Sequence, residues 1–306
     1  MSEKYKEEYI ARIQKVQDYM DKNYQKSMSI EELAEIAGFS KYHFNRIFKS
    51  VMQESLLQYV NRIRLEHSLF WLSHRPDYNM TDIAYELGFG DSAVFSRAFK
   101  NYYGISPLAY RKKYSTNCKE NIFISEYNKP EKKKKWVKNP FSATGEMRIE
   151  QIPSKDVVYV RHVGTYQSLA GAYGKLMRDL FRGAQRQHLL QEGKNQILAM
   201  YHDNPEFGKE EQFRTSLCLT IPEDCQAYED GKLGVMKLEG GLYAIGHYEI
   251  AKAQFEDAWD HMYQKWLMTS GYVPRNACPY EVYLNNPEEE KDHLIKVDIY
   301  VPIEPM

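Results

Sequence analysis

Residues 79–111 read NMTDIAYELGFGDSAVFSRAFKNYYGISPLAYR, and this stretch decides the fold of the first third of the chain. A short amphipathic run ends at Gly88, a residue type that readily adopts the positive φ of a helix end. Asp91 can cap a second helix, whose apolar stripe has helical spacing. The stripe consists of Val94, Phe95, Ala98 and Phe99. Two short helices in this order predict a helix-turn-helix, although one copy alone fits an ordinary helical hairpin equally well.

The chain contains a second copy of this pattern. FNRIFK at 44–49 matches FSRAFK at 95–100 at an offset of 51 residues, whereas Gly38-Phe39 matches Gly88-Phe89 at an offset of 50. The extra residue therefore falls in the turn, where it leaves the helix phase intact. A helical run at 56–73 joins the copies and ends before Pro76. We predict an all-α domain with two helix-turn-helix units, in which Ser29-x-x-Glu32 forms a capping box and Ser40 caps the next helix.

The pattern G-F-x-D-x-x-x-F-S-R-x-F-K-x-x-x-G-x-S-P-x-x-Y-R resembles the signature of AraC-type transcription regulators, and the resemblance covers residues 7–113. It implies that the domain binds double-stranded promoter DNA and that both recognition helices enter the major groove. The DNA-binding candidates are Tyr42, Asn45, Arg46, Lys49, Ser92, Ser96 and Arg97. For any single residue, a solvated helix face is the competing interpretation.

The side chains of the first recognition helix suit base reading. Arginine can bind guanine in bidentate fashion and asparagine can do the same to adenine, which favours Arg46 and Asn45 as specificity residues. The second helix has Ala93, which can touch a thymine methyl but cannot hydrogen-bond. We therefore expect Arg97 mainly to position the DNA backbone.

Charge is distributed unevenly along the chain, although the formal net charge is only −1. Residues 1–115 hold 17 Lys and Arg against 14 Asp and Glu, whereas residues 146–306 hold 17 against 25. The intervening residues 116–145 include Lys132–Lys135 and show no apolar period, which predicts a basic linker. The basic front favours a polyanionic partner. A plain tether and an extra phosphate contact both remain open for the lysine run.

Composition argues against several other classes of protein. The four cysteines show no metal-ligand spacing and fit thiols in a reducing cytoplasm. No apolar run approaches 18 residues and no signal peptide is visible, so we expect a soluble cytoplasmic protein without a membrane partner. His162, His202 and His247 match no metal-ligand motif. We predict no metal, no cofactor and no catalytic residue.

From residue 146 onward the pattern becomes strand-like, with two helices at 166–181 and 253–267. MYHDNPE at 200–206 matches VYLNNPE at 282–288, an offset of 82, and Tyr159 matches Tyr243 at 84. Each half runs strand, strand, helix, strand, strand. The second domain, at 146–306, is therefore predicted as an α+β domain of two pseudo-twofold-related repeats that form a ligand cleft.

This half resembles the GyrI-like (gyrase-inhibitor-like) effector-binding domain, with matching pieces across residues 147–303. They are IEQIP at 149–153, RHVGTY at 161–166, YHDNP at 201–205, WLMTSGY at 266–272 and PYEVYLN at 279–285. The resemblance implies binding of a small lipophilic effector. One departure is GHYEI at 246–250, where the family usually repeats an H-x-G-P-Y loop. We expect that side of the cleft to have a different shape.

Glu281 is the leading effector-binding candidate, because the equivalent position in the first repeat is Ala199. Glu281 and Tyr283 face the same way on a strand. A carboxylate in an aromatic cleft favours a cationic, aromatic ligand. The candidate walls are Tyr283, Tyr201, Tyr166 and Trp259. A solvent-facing glutamate and plain core aromatics are the competing interpretations.

The function favoured by these patterns is a ligand-responsive, DNA-binding transcription regulator that is not an enzyme. RNA polymerase is a further expected partner. Two alternatives stay open for the second domain. It could hydrolyse small electrophiles, since some GyrI-like proteins are hydrolases, or it could bind a protein partner with an empty cleft.

Overall fold

The computed structural model describes residues 3–114, 146–203, 210–286 and 293–305. The chain forms two compact units, one helical and one built on a large sheet. The predicted class, an all-α domain followed by an α+β domain, is confirmed. The predicted linker at 116–145, with Lys132–Lys135, lies outside the described residues, so the proposed domain boundaries stay predictions.

Helices make up the first unit. They are α1 (Glu3–Asn23), α2 (Ile30–Ile36), α3 (Lys41–Met52), α4 (Leu56–His74), α5 (Met80–Glu86), α6 (Ser92–Tyr103) and α7 (Pro107–Tyr114). The pairs α2–α3 and α5–α6 are the two predicted helix-turn-helix units, and α4 connects them. Helix α7 was not predicted. It begins at Pro107 after Ser106, whose Oγ accepts a hydrogen bond from the Ala109 N–H over 3.2 Å.

The repeat places matching phenylalanines of the two helix-turn-helix units in one shared hydrophobic core. Phe44 and Phe48 on α3 are fully buried, and so are Phe95 and Phe99 on α6. Each such side chain contributes roughly 1.5–3 kcal/mol by leaving water. Val94, predicted on the same apolar stripe, is 45% exposed. It precedes Phe95 by one residue and is therefore turned about 100° away from it around the helix axis.

The turns of both units follow the predicted chemistry in most respects. Gly38 and Gly88 adopt positive φ values of 63° and 77°. The Asp91 carboxylate accepts a hydrogen bond from the Ala93 N–H over 2.5 Å and caps α6. The cap predicted at Ser40 is wrong in one respect, because Ser40 occupies the N-cap position of α3 but its side chain makes no capping hydrogen bond.

The capping box predicted at the start of α2 is half formed. Ser29 Oγ accepts from the Glu32 N–H over 3.1 Å, as expected. The Glu32 carboxylate accepts a short hydrogen bond from the Tyr19 hydroxyl. The Glu32 carboxylate therefore links α2 to α1. In a complete capping box it would instead accept a hydrogen bond from the Ser29 N–H.

The second unit holds nine strands among its described residues. They are β1 (Met147–Ile152), β2 (Lys155–Val163), β3 (Ile197–Tyr201), β4 (Arg214–Thr220), β5 (Gly234–Leu238), β6 (Gly241–Ile250), β7 (Tyr272–Pro274), β8 (Tyr280–Tyr283) and β9 (Ile295–Pro305). Helix α8 (Tyr166–Arg186) lies between β2 and β3. Helix α9 (Phe255–Asp260) continues into a π-helical turn at His261–Leu267. The continuous helix predicted at 253–267 therefore changes its winding halfway, and β7 was not predicted.

The sheet has the predicted twofold likeness. Its strand order is β1-β6-β9-β8-β3-β4-β2-β5, with β7 paired to β9. The order reads the same from either end when each strand is replaced by its counterpart in the other repeat. β1 lies beside β6 and β5 beside β2, so each repeat contributes its first strand to the other. This exchange was not predicted.

Strand register corrects one sequence match. The offset of 82 relates β4 to β9, so Cys218 corresponds to Tyr300. Cys218 pairs with Tyr159 on β2, and Tyr300 pairs with Ile245 on β6. The position equivalent to Tyr159 is therefore Ile245, and its sequence match to Tyr243 is displaced by two residues. A shift of two keeps every side chain on the same face, so alternation alone does not reveal it.

None of the described helices combines the length and the apolar character needed to cross a bilayer.

Candidate functional site

The predicted DNA-contacting residues of α3 share its exposed side. Tyr42 is 78% exposed, and Asn45, Arg46 and Lys49 are exposed as well. The opposite side of α3 carries the buried phenylalanines, which hold this polar face outward. The Lys41 ammonium lies 5.5 Å from the centre of the Tyr42 ring. Together these side chains form a polar, positively charged helix face.

The predicted residues of α6 are less uniform. Arg97 and Ala93 are exposed, whereas Ser92 and Ser96 are half-buried. Of these four residues only Arg97 carries an exposed, charged hydrogen-bond donor. That α6 contacts DNA, and that it is the weaker base reader, both stay predictions.

In the second domain, three hydrogen-bond donors converge on Glu281, which is 1% exposed. The hydroxyls of Tyr201 and Tyr283 each donate to its Oε2 over 2.8 Å. The Trp259 indole Nε1–H donates to its Oε1 over 2.7 Å. Tyr201, Tyr283 and Trp259, all predicted effector-site residues, therefore donate hydrogen bonds to the predicted Glu281.

The pseudo-twofold axis explains this geometry. Glu281 on β8 pairs with Ala199 on β3, and the offset of 82 maps one of these positions onto the other. The axis therefore passes between them. Tyr201 and Tyr283 differ by the same offset, so they approach the carboxylate from symmetry-related directions. The carboxylate itself breaks the symmetry, because its counterpart is an alanine.

Aromatic rings line the surroundings of the carboxylate. Tyr166 meets Tyr201 edge to face at 6.0 Å between ring centroids, and Tyr201 meets Trp259 edge to face at 5.7 Å. Tyr166 is 40% exposed, so this wall extends from the buried Glu281 to the surface. All five predicted effector-site residues therefore belong to one connected cluster.

Four further aromatic residues join the cluster but were not chosen from sequence, and one of them, Phe213, packs against Tyr166 with 5.6 Å between ring centroids. Phe255 packs against Tyr283 with 6.5 Å between centroids, and Tyr263 stacks on Trp259 at 6.1 Å. Tyr173 lies on α8 within electrostatic range of Glu281, whose charge contributes to a raised pKa of the Tyr173 hydroxyl after the larger effect of burial. Helix spacing could have identified Tyr173, since it follows Tyr166 by seven residues on the same side of α8.

The protonation of the cluster follows from burial. Burial raises the pKa of Glu281 above its ordinary value of 4.5, while its three donors oppose the rise by stabilising the carboxylate. Burial, followed by the charge of Glu281, raises the pKa of Tyr201 and of Tyr283 well above 10. Burial raises the pKa of Tyr166 to about 12. The hydroxyls therefore stay protonated and act as donors at neutral pH.

The side chains at equivalent positions on the two sides of the cleft differ, while the different shape expected from the departure at 246–250 stays a prediction. Strand register places the second repeat at an offset of 86 here, so Tyr166 corresponds to Lys252. Residues 246–250 continue β6, and Tyr248 shares a 2.8 Å hydrogen bond with His261 Nδ1. β6 therefore runs one residue further than β2, whose end at Val163 corresponds to Glu249.

The three histidines considered from sequence lie in separate settings. His162 Nε2 lies 2.8 Å from Ser168 Oγ, and His202 Nε2 lies 2.8 Å from Ser216 Oγ. His247 Nδ1 lies 2.7 Å from an oxygen of Asp298. Within the described ranges, no group of three or more His, Cys, Asp or Glu side chains is placed to hold a metal ion.

Two helix-turn-helix units in one helical domain are the architecture of an AraC-type DNA-binding regulator, and the second domain is of the effector-binding kind. Residues 33–113 match a helix-turn-helix domain family, and residues 145–304 match the GyrI-like small molecule binding domain. The chain belongs to the GyrI-like family. Both resemblances noted in the sequence are confirmed.

Individual relatives match one domain each. A protein named DNA gyrase inhibitor from Serratia proteamaculans is 34% identical over 157 residues, which cover 50% of this chain and 95% of the relative. The Msm operon regulatory protein of Streptococcus mutans is 30% identical over 107 residues, which cover 35% of this chain and 38% of the relative. The chain therefore spans less than half of the second relative.

Solved structures also resemble single domains. The crystal structure of the EcmrR C-terminal domain has a TM-score of 0.46 and 17% identity, and covers 53% of this chain and 99% of its own. The DNA-binding domain of AdpA in complex with a target DNA has a TM-score of 0.33 and 25% identity, and covers 36% of this chain and 97% of its own.

Proposed function

We propose that this protein controls transcription by binding promoter DNA through α3 and α6, and that a small lipophilic cation bound at Glu281 regulates it. The observation that carries the effector part is the buried carboxylate whose three donors are all neutral. Neutral donors stabilise a negative charge but do not cancel it. A ligand cation would supply the missing charge inside the cleft.

The aromatic rings favour a flat, delocalised cation. A cation placed against a tyrosine or tryptophan face gains about 0.5–2 kcal/mol, and the gain is larger where water is excluded. Tyr166, Tyr201 and Trp259 supply such surfaces next to Glu281. The ligand would therefore be held by both its charge and its ring.

The number of donors already on Glu281 suggests which cations fit best. A carboxylate offers about four lone-pair sites, and three are used by the tyrosines and the tryptophan. A primary ammonium group has three N–H bonds and would leave some of them unsatisfied. A quaternary or N-alkylated aromatic cation has no such bond to satisfy. We therefore propose that permanently charged aromatic cations bind better than primary amines of similar size.

Two ligands that share one ring system and differ in charge test the role of the carboxylate charge. Calorimetry at pH 7.5 would compare N-methylacridinium, a permanent cation, with neutral acridine. Glu281→Gln should weaken binding of the cation about tenfold or more and change binding of acridine much less, since about 1.4 kcal/mol corresponds to a factor of ten. Glu249→Gln, which removes an exposed carboxylate on β6, is the matched control and should change neither affinity. Equal loss for both ligands in Glu281→Gln would reject the role of charge.

The DNA-binding part is tested by selecting genomic fragments with the full chain, with and without N-methylacridinium. Coupling requires the ligand to bind the DNA-competent state with a different affinity from the other state. Transcription with purified RNA polymerase from a selected promoter would then give the sign of regulation. It would also show whether the polymerase is a partner. An absence of enriched sequences would reject sequence-specific binding.

We infer further that the second domain acts by binding and not by turnover. In support, the Glu281 oxygens already accept hydrogen bonds from three groups, and the surrounding tyrosine hydroxyls hold their protons at neutral pH. Neither feature favours a general base. Hydrolysis of an activated ester or epoxide that is lost in Glu281→Gln would establish the hydrolase alternative instead.

A further inference from the structure

A second cluster of reactive side chains lies where the two central strands of the sheet end. His202 follows the last residue of β3, and Cys278 lies two residues before the first residue of β8. The Cys278 Sγ lies 3.8 Å from His202 Nδ1. The strands are linked at this point, because the Tyr201 N–H donates to the Pro279 carbonyl over 3.2 Å.

The other side of the imidazole is held by a chain of hydrogen bonds. His202 Nε2 lies 2.8 Å from Ser216 Oγ, and Arg161 Nε donates to the same oxygen over 3.1 Å. Arginine can only donate, so Ser216 Oγ accepts from Arg161 and its own hydrogen can point to His202 Nε2. A neutral imidazole with a hydrogen bond accepted at Nε2 carries its own hydrogen on Nδ1. That hydrogen points toward the Cys278 sulfur.

The charges around His202 support the neutral imidazole. Burial lowers the pKa of His202 well below its ordinary value, and the positive charges of Arg161 and Arg214 lower it further. The imidazole is therefore a hydrogen-bond donor to the sulfur and not a store for its proton. The Arg214 guanidinium is paired with the Asp203 carboxylate over 2.8 Å, whereas Arg161 reaches His202 through Ser216. A donor backed by the Arg161 guanidinium stabilises a thiolate, which is the nucleophilic form of cysteine.

Cys225 provides an internal comparison, because it is also a half-buried thiol. Its Sγ lies 3.9 Å from the His188 carbonyl oxygen and 4.0 Å from the Asp224 carboxylate. The Gln191 amide donates to it over 3.3 Å. Cys225 therefore has a negative neighbour, whereas the environment of Cys278 leads through His202 to a guanidinium.

We propose that Cys278 is a covalent modification site that reacts with small soft electrophiles such as alkyl halides or α,β-unsaturated carbonyl compounds. With an alkyl halide, the sulfur forms a bond to carbon, the carbon–halogen bond breaks, halide leaves and the thiol proton passes to water. With an unsaturated carbonyl compound, the thiol proton passes to water, the sulfur adds to the β-carbon and the α-carbon takes a proton back from water. His202 is the positioning residue, since it acts through its hydrogen bond to the sulfur.

The test is the alkylation rate of each cysteine in the native full-length protein. Iodoacetamide is added at pH 7.0, and peptide mass spectrometry follows each thiol separately. Cys278 should react about tenfold or more faster than Cys225, as expected when the Cys278 thiol is activated and the Cys225 thiol is not. After unfolding in guanidinium chloride the two rates should converge, because both thiols then lose their neighbours. A native Cys278 rate no higher than that of Cys225 would overturn the proposal.

Two substitutions of His202 separate activation from simple exposure. His202→Gln places an amide near the Nε2 position and removes the Nδ1 group, so the Cys278 rate should fall to that of Cys225. His202→Asn places an amide N–H near the Nδ1 position and should keep most of the rate. A change in exposure alone would affect both variants alike. An unchanged rate in a folded His202→Gln protein would contradict the assigned role, and the comparison with Cys225 still decides the matter if that variant does not fold.

Discussion

Tyr201 and Tyr283, which are 82 residues apart, donate hydrogen bonds of 2.8 Å to the same oxygen, Oε2 of Glu281. The relationship follows from the twofold likeness of the domain, because a carboxylate next to the axis is reached equally from both repeats. The Trp259 indole takes the other oxygen. One acidic side chain thus adds a titratable carboxyl group to an otherwise symmetric aromatic cluster.

The symmetry predicts that the two tyrosines contribute equally to stability. Tyr201→Phe and Tyr283→Phe each remove one donor to a buried carboxylate, so each should lower the free energy of unfolding by about 1.5–3 kcal/mol. Guanidinium denaturation at pH 7.5 measures the change. Tyr173→Phe, a hydroxyl removal on the partly exposed side of α8, is the control and should stay within about 0.5 kcal/mol. If one tyrosine variant lost this free energy of unfolding and the other lost none, the symmetric arrangement would be contradicted.

The raised pKa of Glu281 predicts how stability changes with pH. Between 4.5, its ordinary value, and the raised folded-state value, the unfolded chain has lost a proton that the folded chain retains. Stability therefore falls as pH rises through this window. Glu281→Gln lacks this titration, so the stability of wild type relative to the variant should decrease from pH 4 toward neutral pH.

Denaturation of both proteins at several pH values provides the measurement. Each tenfold difference between the acid dissociation constants of Glu281 in the folded and unfolded chain corresponds to about 1.4 kcal/mol of pH-dependent stability. Glu249→Gln, which changes an exposed carboxylate, should follow the wild-type curve. A constant difference between wild type and Glu281→Gln across this range would mean that the folded-state pKa is not raised.

Two glycines with the same backbone angle allow strain to be separated from crowding. Gly88 and Gly104 both have φ of 77°. A Cβ at Gly88 would collide with the Gln25 backbone and lie 2.9 Å from Arg64 Nη2, whereas among the described residues nothing lies within 4 Å of a Cβ at Gly104. Gly104→Ala should cost about 1–2 kcal/mol from the left-handed backbone alone. Gly88→Ala should cost about 1–3 kcal/mol more, because the turn must also move.

Thermal and chemical denaturation of the two glycine variants give these costs. Far-ultraviolet circular dichroism should report the helices of the first domain as intact in Gly104→Ala. Equal destabilisation by both substitutions would show that the close packing of the Gly88 turn against Gln25 has no energetic weight.

Local patterns predicted much of this molecule because the chain repeats them. The 51-residue spacing of FNRIFK and FSRAFK identified both recognition helices, and their phenylalanines are buried as expected. Alternation along β8 placed Glu281 and Tyr283 on one face, and the offset of 82 brought in Tyr201. These inferences needed only side-chain periodicity and internal symmetry.

Other features depend on contacts between distant residues and were missed. The exchange of β1 and β5 between repeats pairs strands that are far apart in sequence. The register shift from Tyr243 to Ile245 leaves the alternation unchanged. The sequence allowed Trp259, an aromatic residue on an amphipathic helix, to be either a cleft wall or a core residue. Its hydrogen bond to Glu281 distinguishes the two only in the folded chain.

The two recognition helices should contribute to DNA binding in different ways. Arg46 lies on the exposed face of α3 beside Asn45, which suits base reading, whereas the exposed charged side chains of α6 are Arg97 and Lys100. Arg46→Ala should cost about 1–3 kcal/mol at one base position and relax the preference there. Arg97→Ala should weaken binding to all sequences similarly and reduce the salt dependence by about one counterion.

Fluorescence anisotropy on a selected operator and its single-base variants, at several salt concentrations, measures both effects. Arg178→Ala, which removes an exposed charge on α8, is the control and should alter neither. If Arg46→Ala left base preference intact while Arg97→Ala changed it, the assigned roles of the two helices would be reversed.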